Sequence, residues 1–380
     1  MHVLTLTPFY PSTSDDAMGC FIAEPLRPLE ELGIKSSVIA VQPIYKGRVV
    51  ASARPPSACW VYYPAIPTGL GLSSAGSFLF ASLLSRVREL HRMNPIDLIH
   101  AHAALPCGHA AALLSRELGI PFVVTVHGLD VYMTNQVRGH SGRWCENVSR
   151  MVYRSARYVI CISEKVRDRV TENPATTSKT CVIYNGVDAQ VFVPARDDCK
   201  ASILLSVGNL IPIKGHGLLL QAFAALHKSH PEIQCVLIGD GPERARLGAL
   251  ANSLGISDRI CFLGRRTRAQ VAATMGSCVL FALPSEYEGL GCVYLEAMAA
   301  EKAVIACRGQ GIEEIIQHGR NGWLIEPGDL LSLTGALAMF LENPELCRRI
   351  GAAARETVVQ GFTLAHQAAR LAELYGESIS

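Results

Sequence analysis

The chain has 380 residues, which is more than one hydrophobic core of ordinary size requires, so the length predicts two domains. Hydrophobic residues make up 49% and charged residues 18%, which excludes a disordered, collagen-like or tail-like protein. Lys and Arg number 35 against 33 Asp and Glu, and this formal charge of +2 excludes a general nucleic-acid-binding protein.

The first residues, MHVLTLTPFYPS, carry no cationic segment and only a short apolar run before Pro8. This pattern is typical of neither a signal peptide nor a transit peptide, and it predicts a cytoplasmic protein, with the inner face of the membrane as an alternative location. The 13 cysteines are widely spaced and form no CxxC motif. They favour free, mostly buried thiols over a zinc site or a disulfide framework.

Short and nearly unbroken apolar runs predict parallel strands that helices cover on both faces. In the first half of the chain they occupy residues 2–8, 37–42, 59–63, 97–102, 121–127, 157–163 and 180–185. In the second half they occupy residues 202–208, 234–241, 259–264, 278–285, 303–307 and 322–327. Amphipathic stretches such as 108–118 are long enough for helical crossovers.

A polar stretch after Pro194 separates the two sets of runs and predicts a domain boundary near residues 192–200. Each half is therefore predicted to be a doubly wound α/β unit, with residues 1–192 and 200–362 as Rossmann-like domains. Residues 363–380 are predicted to form a helix that returns to the first domain. Ligands of such sheets bind at the carboxyl ends of the strands, so we expect a cleft between the two domains.

Two segments are candidates for peripheral contact with a membrane. Residues 55–85 carry no charge, but prolines and glycines interrupt them, so they do not predict a spanning helix. Arg86, Arg88 and Arg92 follow, and these cations suit anionic headgroups. In residues 142–157, arginines fall on one helical face and Trp144, Val148 and Met151 on another. For each segment taken alone, a solvated helix face over an ordinary core is the favoured interpretation.

The segment LPSEYEGLGCVYLEAMAA, residues 283–300, is the most informative for chemistry. It predicts the end of a strand, a loop with Glu286 and Glu288, two flexible glycines and a helix through Glu296. Backbone N–H groups at the start of that helix suit a phosphate or a sugar oxygen. By spacing alone, however, a capping carboxylate and a solvent-facing helical glutamate are the favoured explanation.

Glu288 and Glu296, separated by seven residues, resemble the paired-glutamate signature of glycosyltransferase family 4, a group of retaining enzymes with the GT-B fold of two Rossmann-like domains. Other segments resemble the family's motifs in the same order. They are residues 9–33, 100–132 (HAHAALPCG through HGLDVY), 161–170, 182–192, 204–226, 236–247 and 311–329. The opening and the HAHAALPCG segment are most similar to members that build cell-surface polysaccharides.

The resemblance implies a hexosyltransferase whose C-terminal domain binds the nucleotide-sugar and whose N-terminal domain binds a glycan or lipid-linked acceptor. It implies that Lys214 holds the donor diphosphate, that Glu288 accepts hydrogen bonds from sugar hydroxyls, and that Glu296 accepts them from the ribose. His127, at the end of a strand, would lie near the transferred sugar; without the family, a structural histidine is as good an interpretation. The remaining residues that it implies for donor binding are Gly19, Asn209, Arg265, Gly289, Leu290 and Gly291.

The chain departs from the family pattern at three positions. Asn209 stands where many members have an arginine beside the diphosphate, so charge neutralisation would depend on Lys214, on helix dipoles and on Arg265 or Arg266. Glu301 stands where the family often has a glycine at the end of a helix, and Gln310 where it usually has the first of two glycines.

No Asp-x-Asp motif is present, and the resemblance implies a reaction that needs no metal or other cofactor. His100 and His102 share one strand face, but no third metal ligand is evident. Uridine diphosphate is the family's most common donor nucleotide. The alternatives are a GT-B epimerase, a non-catalytic nucleotide-sugar sensor and, least favoured, a dehydrogenase, since no G-x-G-x-x-G follows the first strand.

Overall fold

The computed structural model describes residues 1–13, 15–50, 58–67, 71–128, 130–131, 137, 139–172, 174–195 and 203–379. The chain divides into two compact units. The first unit contains Met1–Asn185 together with Leu364–Ser380, and the second contains Gly186–Thr363.

Every apolar run that predicted a strand contains one. The strands are β1 (His2–Thr7), β2 (Lys35–Pro43), β3 (Ala58–Tyr63), β4 (Leu98–His102), β5 (Phe122–Val126), β6 (Val159–Cys161), β7 (Thr180–Val182), β8 (Ile203–Val207), β9 (Gln234–Ile238), β10 (Ile260–Gly264), β11 (Leu280–Ala282), β12 (Ala303–Cys307) and β13 (Trp323–Ile325). Within the described residues, the first unit has the strand order β3-β2-β1-β4-β5-β6-β7 and the second has β10-β9-β8-β11-β12-β13. All these pairings are parallel. Both are doubly wound sheets, as predicted.

Helices cover the sheets. They are α1 (Cys20–Ala23), α2 (Leu26–Glu31), α3 (Leu72–Met93), α4 (His109–Leu118), α5 (Gly139–Ser155), α6 (Glu164–Thr171), α7 (His216–Leu226), α8 (Arg244–Ser253), α9 (Arg268–Ser277), α10 (Cys292–Ala299), α11 (Leu330–Glu342), α12 (Pro344–Gly361) and α13 (Leu364–Ile379). The strands between them are mostly buried on both faces, which explains why they form continuous apolar runs instead of alternating patterns.

The C-terminal helix α13 belongs to the first unit. Its residues Ala368, Leu371 and Leu374 recur at helical spacing and are buried in a core cluster with Leu29 of α2 and Leu98 of β4. Burial of this apolar face explains why the chain returns to the first unit after completing the second.

The division between the units lies earlier than the predicted boundary. Residues 186–192, which the sequence assigned to the first domain, pack with the second unit. The N–H of Val187 donates to the carbonyl of Phe362 at 3.0 Å, and the ring of Phe192 is fully buried. Arg355 also donates to the Phe192 carbonyl at 3.2 Å. Tertiary contacts thus make residues 186–192 part of the second unit, although they precede the polar stretch that marked the predicted boundary.

The first candidate membrane segment contains the first part of a long helix, α3. Helix α3 buries Leu79, Leu83 and Val87 in the first unit, and Arg88 on its outer side forms a 2.7 Å ion pair with Glu117. Residues 55–57 and 68–70 of this segment lie outside the described residues. Among the helices that the structure describes, none has the length and apolar character needed to cross a membrane.

The second candidate segment lies largely in α5. The helix buries Cys145, Val152 and Tyr153, while Trp144 is 57% exposed and Met151 is 40% exposed. The predicted apolar face is therefore rotated, and its two largest members point toward solvent.

Candidate active site

The candidate site of the second unit is built on the loop between β11 and α10, as the sequence predicted. The carboxyl end of β11 lies beside β8 on one side and β12 on the other. The loops that follow these three strands are therefore neighbours at one edge of the sheet. Gly291, just before α10, has a φ of +83°, a left-handed conformation that glycine adopts readily.

Lys214 and Glu288 form an ion pair across two of these loops. Their side chains are only 18% and 11% exposed, respectively. Lys214 ends a short 3-10 turn, Pro212–Lys214, that follows β8, and Gly215 continues it with a φ of +70°. A Cβ on Gly215 would overlap the carbonyl of Pro284, so the turn is packed directly against the β11–α10 loop. Close backbone packing thus places the ammonium against the carboxylate.

Glu296 pairs with a cation that the sequence analysis did not single out. Arg268 donates to the Glu296 carboxylate, and both side chains are mostly buried. The guanidinium carbon also lies 4.8 Å from the centre of the Phe192 ring. Arg268 is the first residue of α9, which a capping box between Thr267 and Gln270 begins. That T-x-x-Q spacing was a signal for the helix start and thus for the position of Arg268.

The other residues of the second unit that were predicted for donor binding lie at the same edge but differ in exposure. Asn209, just after β8, and Arg265, just after β10, are exposed. Leu290 is fully buried, so only its backbone is a candidate for ligand contact. The carbonyl of Gly289 packs tightly against Gly311. The structure therefore pairs Lys214 with Glu288 but leaves Asn209 and Arg265 at the surface.

Glu301, where the sequence resemblance implies a glycine, adopts a left-handed backbone conformation. Its φ is +61°, in the left-handed region. Its N–H donates to Met298 at 3.0 Å, and the N–H of Lys302 donates to Ala297 at 3.0 Å, which closes the end of α10. The end of α10 is therefore a left-handed helix end of the kind that glycine favours, with a glutamate in that position.

Gly19 lies in the first unit, immediately before α1, with a φ of +73°. A Cβ at this position would collide with the backbone of Phe9 and Tyr10. Close packing of two chain segments therefore explains this glycine, whereas its predicted approach to donor phosphates stays a prediction.

His127 is half-buried and lies in a cluster with the buried His100 and His102 in the first unit. Its Nε2 shares a 3.1 Å hydrogen bond with His102 Nδ1, and the two rings are stacked. His100 lies beside His102, with a ring centroid distance of 4.3 Å, and hydrogen-bonds Tyr375 of α13 at 2.6 Å and Thr125 at 2.7 Å. Among the residues described, no three His, Cys, Asp or Glu side chains form a metal-binding arrangement. The cluster is a network of hydrogen-bonded rings in which His127 has a fixed partner.

Burial determines the ionisation of this cluster. It lowers the pKa of His100 and of His127 to about 3 and that of His102 well below its usual value. The three rings are therefore neutral at pH 7. Asp130, whose Oδ1 accepts the N–H of His127 at 2.8 Å, has its pKa raised to about 6, mainly by burial.

The histidine cluster should make the protein less stable in acid. Between pH 6.5 and 3 an unfolded chain protonates these histidines and the folded protein does not, so the free energy of unfolding decreases as the pH falls. Each such histidine contributes up to about 1.4 kcal/mol per pH unit. Asp130 acts in the opposite direction between about pH 6 and 3.8, but it is one group against three.

We therefore expect His100→Gln to flatten the dependence of the thermal unfolding midpoint on pH between 7 and 5, whatever its effect on the midpoint itself. His140→Gln, at an exposed position, is the matched control and should keep the wild-type slope. An unchanged slope in the His100 variant would contradict the assignment of a buried neutral ring.

Comparison with known proteins identifies the family. The family model described as Glycosyltransferase Family 4 matches residues 25–191, and the model described as Glycosyl transferases group 1 matches residues 193–357. The N-acetyl-alpha-D-glucosaminyl L-malate synthase of Bacillus anthracis is 30% identical over 293 residues, which cover 74% of each chain.

Solved structures share the fold. The sucrose-phosphate synthase of Thermosynechococcus elongatus superposes with a TM-score of 0.79 at 20% identity over 99% of both chains. An Anabaena protein in complex with UDP and glucose gives a TM-score of 0.77 at 22% identity, over 99% of this chain and 100% of that one. These likenesses confirm the predicted GT-B architecture. The chain belongs to the family 4, group 1 glycosyltransferases, enzymes that act on nucleotide sugars.

Proposed function

We propose that this glycosyltransferase moves a sugar from a uridine-diphosphate sugar to a glycan or lipid-linked glycan, with retention at the anomeric carbon and without a metal ion. The observation that carries the proposal is the Lys214–Glu288 pair at the carboxyl edge of the second sheet. It combines a point charge suited to a phosphate with a carboxylate suited to sugar hydroxyls. UDP is favoured because a protein of the same fold is known in complex with UDP and glucose.

The donor diphosphate would compete with Glu288 for the Lys214 ammonium. Phosphate oxygens carry more negative charge than one carboxylate, so the ammonium would turn toward them and leave the Glu288 oxygens as acceptors for sugar hydroxyls. Glu296, held by Arg268, is the proposed acceptor for the ribose hydroxyls. Asn209, Arg265 and the backbone of Gly289–Gly291 complete the proposed donor site.

The proposed reaction is a front-face substitution. The bond between the anomeric carbon and the phosphate oxygen breaks, the acceptor oxygen bonds to that carbon on the same face, and the departing phosphate takes the acceptor proton. Negative charge grows on the diphosphate during this step, and Lys214 is positioned to stabilise it. His127, which is neutral at pH 7, would act as a hydrogen-bonding partner of the sugar and not as a charged group.

The first unit is proposed to bind the acceptor. A lipid-linked acceptor is favoured by α5, where Trp144 and Met151 are exposed close in sequence to Arg143 and Arg154. Aromatic and apolar side chains flanked by cations suit an anionic membrane surface.

Nucleotide binding tests the proposal directly. We expect UDP, but not GDP or ADP, to raise the thermal unfolding midpoint of the wild type in the presence of a chelator. A ligand at one hundred times its dissociation constant stabilises the folded state by about 2.7 kcal/mol, which is a shift of several degrees. The shift should be largely lost in Lys214→Ala and kept in Lys228→Ala, where an exposed lysine is removed.

Other outcomes would contradict parts of this proposal. A shift that requires a divalent ion would contradict metal independence. A thermal shift with GDP or ADP instead of UDP would contradict uridine diphosphate as the nucleotide of the donor. Binding without release of UDP when glycan acceptors are supplied would favour a sensor, and isomerisation of the donor sugar in the absence of acceptor would favour an epimerase.

A further inference from the structure

We infer that Gln310 is a positioning residue that sets the conformation of the loop bearing Glu288. The hydrogen-bond assignment stands on the structure alone, whereas its consequence for sugar transfer rests on the proposed function. The position was marked in the sequence only as a departure from a glycine.

The side chain of Gln310 bridges the β11–α10 loop and the segment after β12. Gln310 is only 4% exposed. Its Oε1 accepts the N–H of Glu288 at 2.9 Å, while its Nε2 donates to the carbonyls of Glu286 at 2.8 Å and Arg308 at 3.2 Å. The oxygen and the nitrogen of the side-chain amide thus both form hydrogen bonds with backbone groups.

These partners admit one orientation of the amide. Reversing it would place the NH₂ group against the N–H of Glu288 and the oxygen against two carbonyls, with no hydrogen bond formed. Leaving such groups buried and unpaired is costly, so the network holds the loop and the side chain in a single arrangement.

The same loop is held from the opposite side by the turn that carries Lys214. The N–H of Glu286 donates to the carbonyl of Ile213 at 2.8 Å, and Ser285 Oγ donates to that carbonyl at 3.0 Å. The loop therefore lies between the Lys214 turn and Gln310. Without the Gln310 side chain, the loop would keep its contacts with the Lys214 turn and the hydrogen bond from the Gly311 N–H, but lose the three that the amide makes.

The backbone of Glu288 is fixed at both of its polar groups by consecutive residues. Its N–H donates to the side chain of Gln310, and its carbonyl accepts the N–H of Gly311 at 3.3 Å. These two hydrogen bonds, from Gln310 and Gly311, consequently set the direction in which the Glu288 side chain leaves the backbone. A glycine at position 310 would make none of these side-chain contacts, so the orientation of the Glu288 carboxylate depends on the glutamine side chain.

The test compares Gln310→Met, which keeps the length and removes every hydrogen bond of the side chain, with Gln310→Glu, which keeps an acceptor and loses both donors. The matched control is Gln317→Met at an exposed position. Hydrogen exchange of the peptide covering residues 285–291 is measured together with transfer kinetics and the UDP-induced thermal shift.

For Gln310→Met we expect amide exchange in this peptide to accelerate about tenfold or more, and kcat to fall by about ten- to one-hundredfold through misplacement of the carboxylate. The UDP-induced shift should be reduced but not lost, because Lys214, Arg268 and Glu296 are unchanged and only the backbone of Gly289–Gly291 is loosened. In Gln310→Glu a carboxylate oxygen faces the carbonyls of Glu286 and Arg308, so exchange should be at least as fast as in Gln310→Met and kcat no higher. Gln317→Met should match the wild type.

Wild-type exchange in the Met variant would overturn the structural assignment, and rapid exchange with wild-type kcat would overturn the positioning role. If Gln310→Met does not fold, the same two criteria apply to Gln310→Glu. A wild-type protein that neither binds UDP nor transfers sugar would refute the proposed function instead, and the exchange result would still decide whether Gln310 holds the loop.

Discussion

Replacing Glu288 by glutamine should lower the rate of sugar transfer by about 100- to 1,000-fold, as is typical when one preorganised polar group is removed from an active site. The amide keeps the size of the side chain but loses the negative charge that pairs with Lys214. We expect the midpoint of thermal unfolding to fall by only about 2 to 4 °C, because Lys214 stays partly exposed and its ammonium can be hydrated.

Glu286→Gln is the control for this prediction. Glu286 lies in the same loop, two positions away, but its side chain is exposed. The substitution makes the same chemical change and should leave transfer within about twofold of the wild type, as surface substitutions usually do. Wild-type turnover by Glu288→Gln would refute the assigned role, and an equal loss in both variants would show that the loop tolerates no change of charge.

Replacing Gly311 by alanine should destabilise the second unit and abolish most of the activity. A Cβ at this position would overlap the carbonyl oxygen of Gly289 and lie 2.9 Å from the Cα of Leu290. These are backbone atoms, so the β11–α10 loop must shift to admit a methyl group. We expect a loss of about 3 kcal/mol and a midpoint lower by about 6 to 12 °C in calorimetry.

Gly335→Ala is the opposite control. Gly335 lies within α11, is exposed, and has no atom within 4 Å of the position of a Cβ. Alanine there should stabilise the protein by about 0.5 to 1 kcal/mol, because it lowers the entropy of the unfolded chain and favours the helix. Destabilisation by both substitutions would show that the packing around Gly311 is not the cause.

The fold was largely predictable from the sequence because parallel strands covered on both faces have a distinctive pattern. The run at residues 303–307, for example, has no polar alternation, and the strand observed there is fully buried. The two glutamates were identified by the family resemblance, since their spacing alone favoured a capping carboxylate and a solvent-facing side chain. The boundary between the units was placed too late, because the polar stretch after Pro194 was more conspicuous than the buried Phe192.

The partners of the candidate site residues came from the tertiary structure. Lys214 and Glu288 are 74 positions apart, and Arg268 and Glu296 are 28 apart. Gln310 lies 22 positions after Glu288, whose N–H donates a hydrogen bond to it. The histidine cluster likewise extends from His100 to Tyr375 in the last helix. A local sequence pattern does not show which distant side chain forms the other half of such a pair.

The sequence by itself therefore determined the elements, the two doubly wound units and the loop that carries the paired glutamates. Local propensity and burial act within each segment and are visible in its residues. Only the tertiary structure decided that Lys214 neutralises Glu288, that Arg268 holds Glu296 and that Gln310 orients the loop. The physical reason is that the strand order places β8, β11 and β12 side by side, so side chains from three separate loops meet at one edge of the sheet.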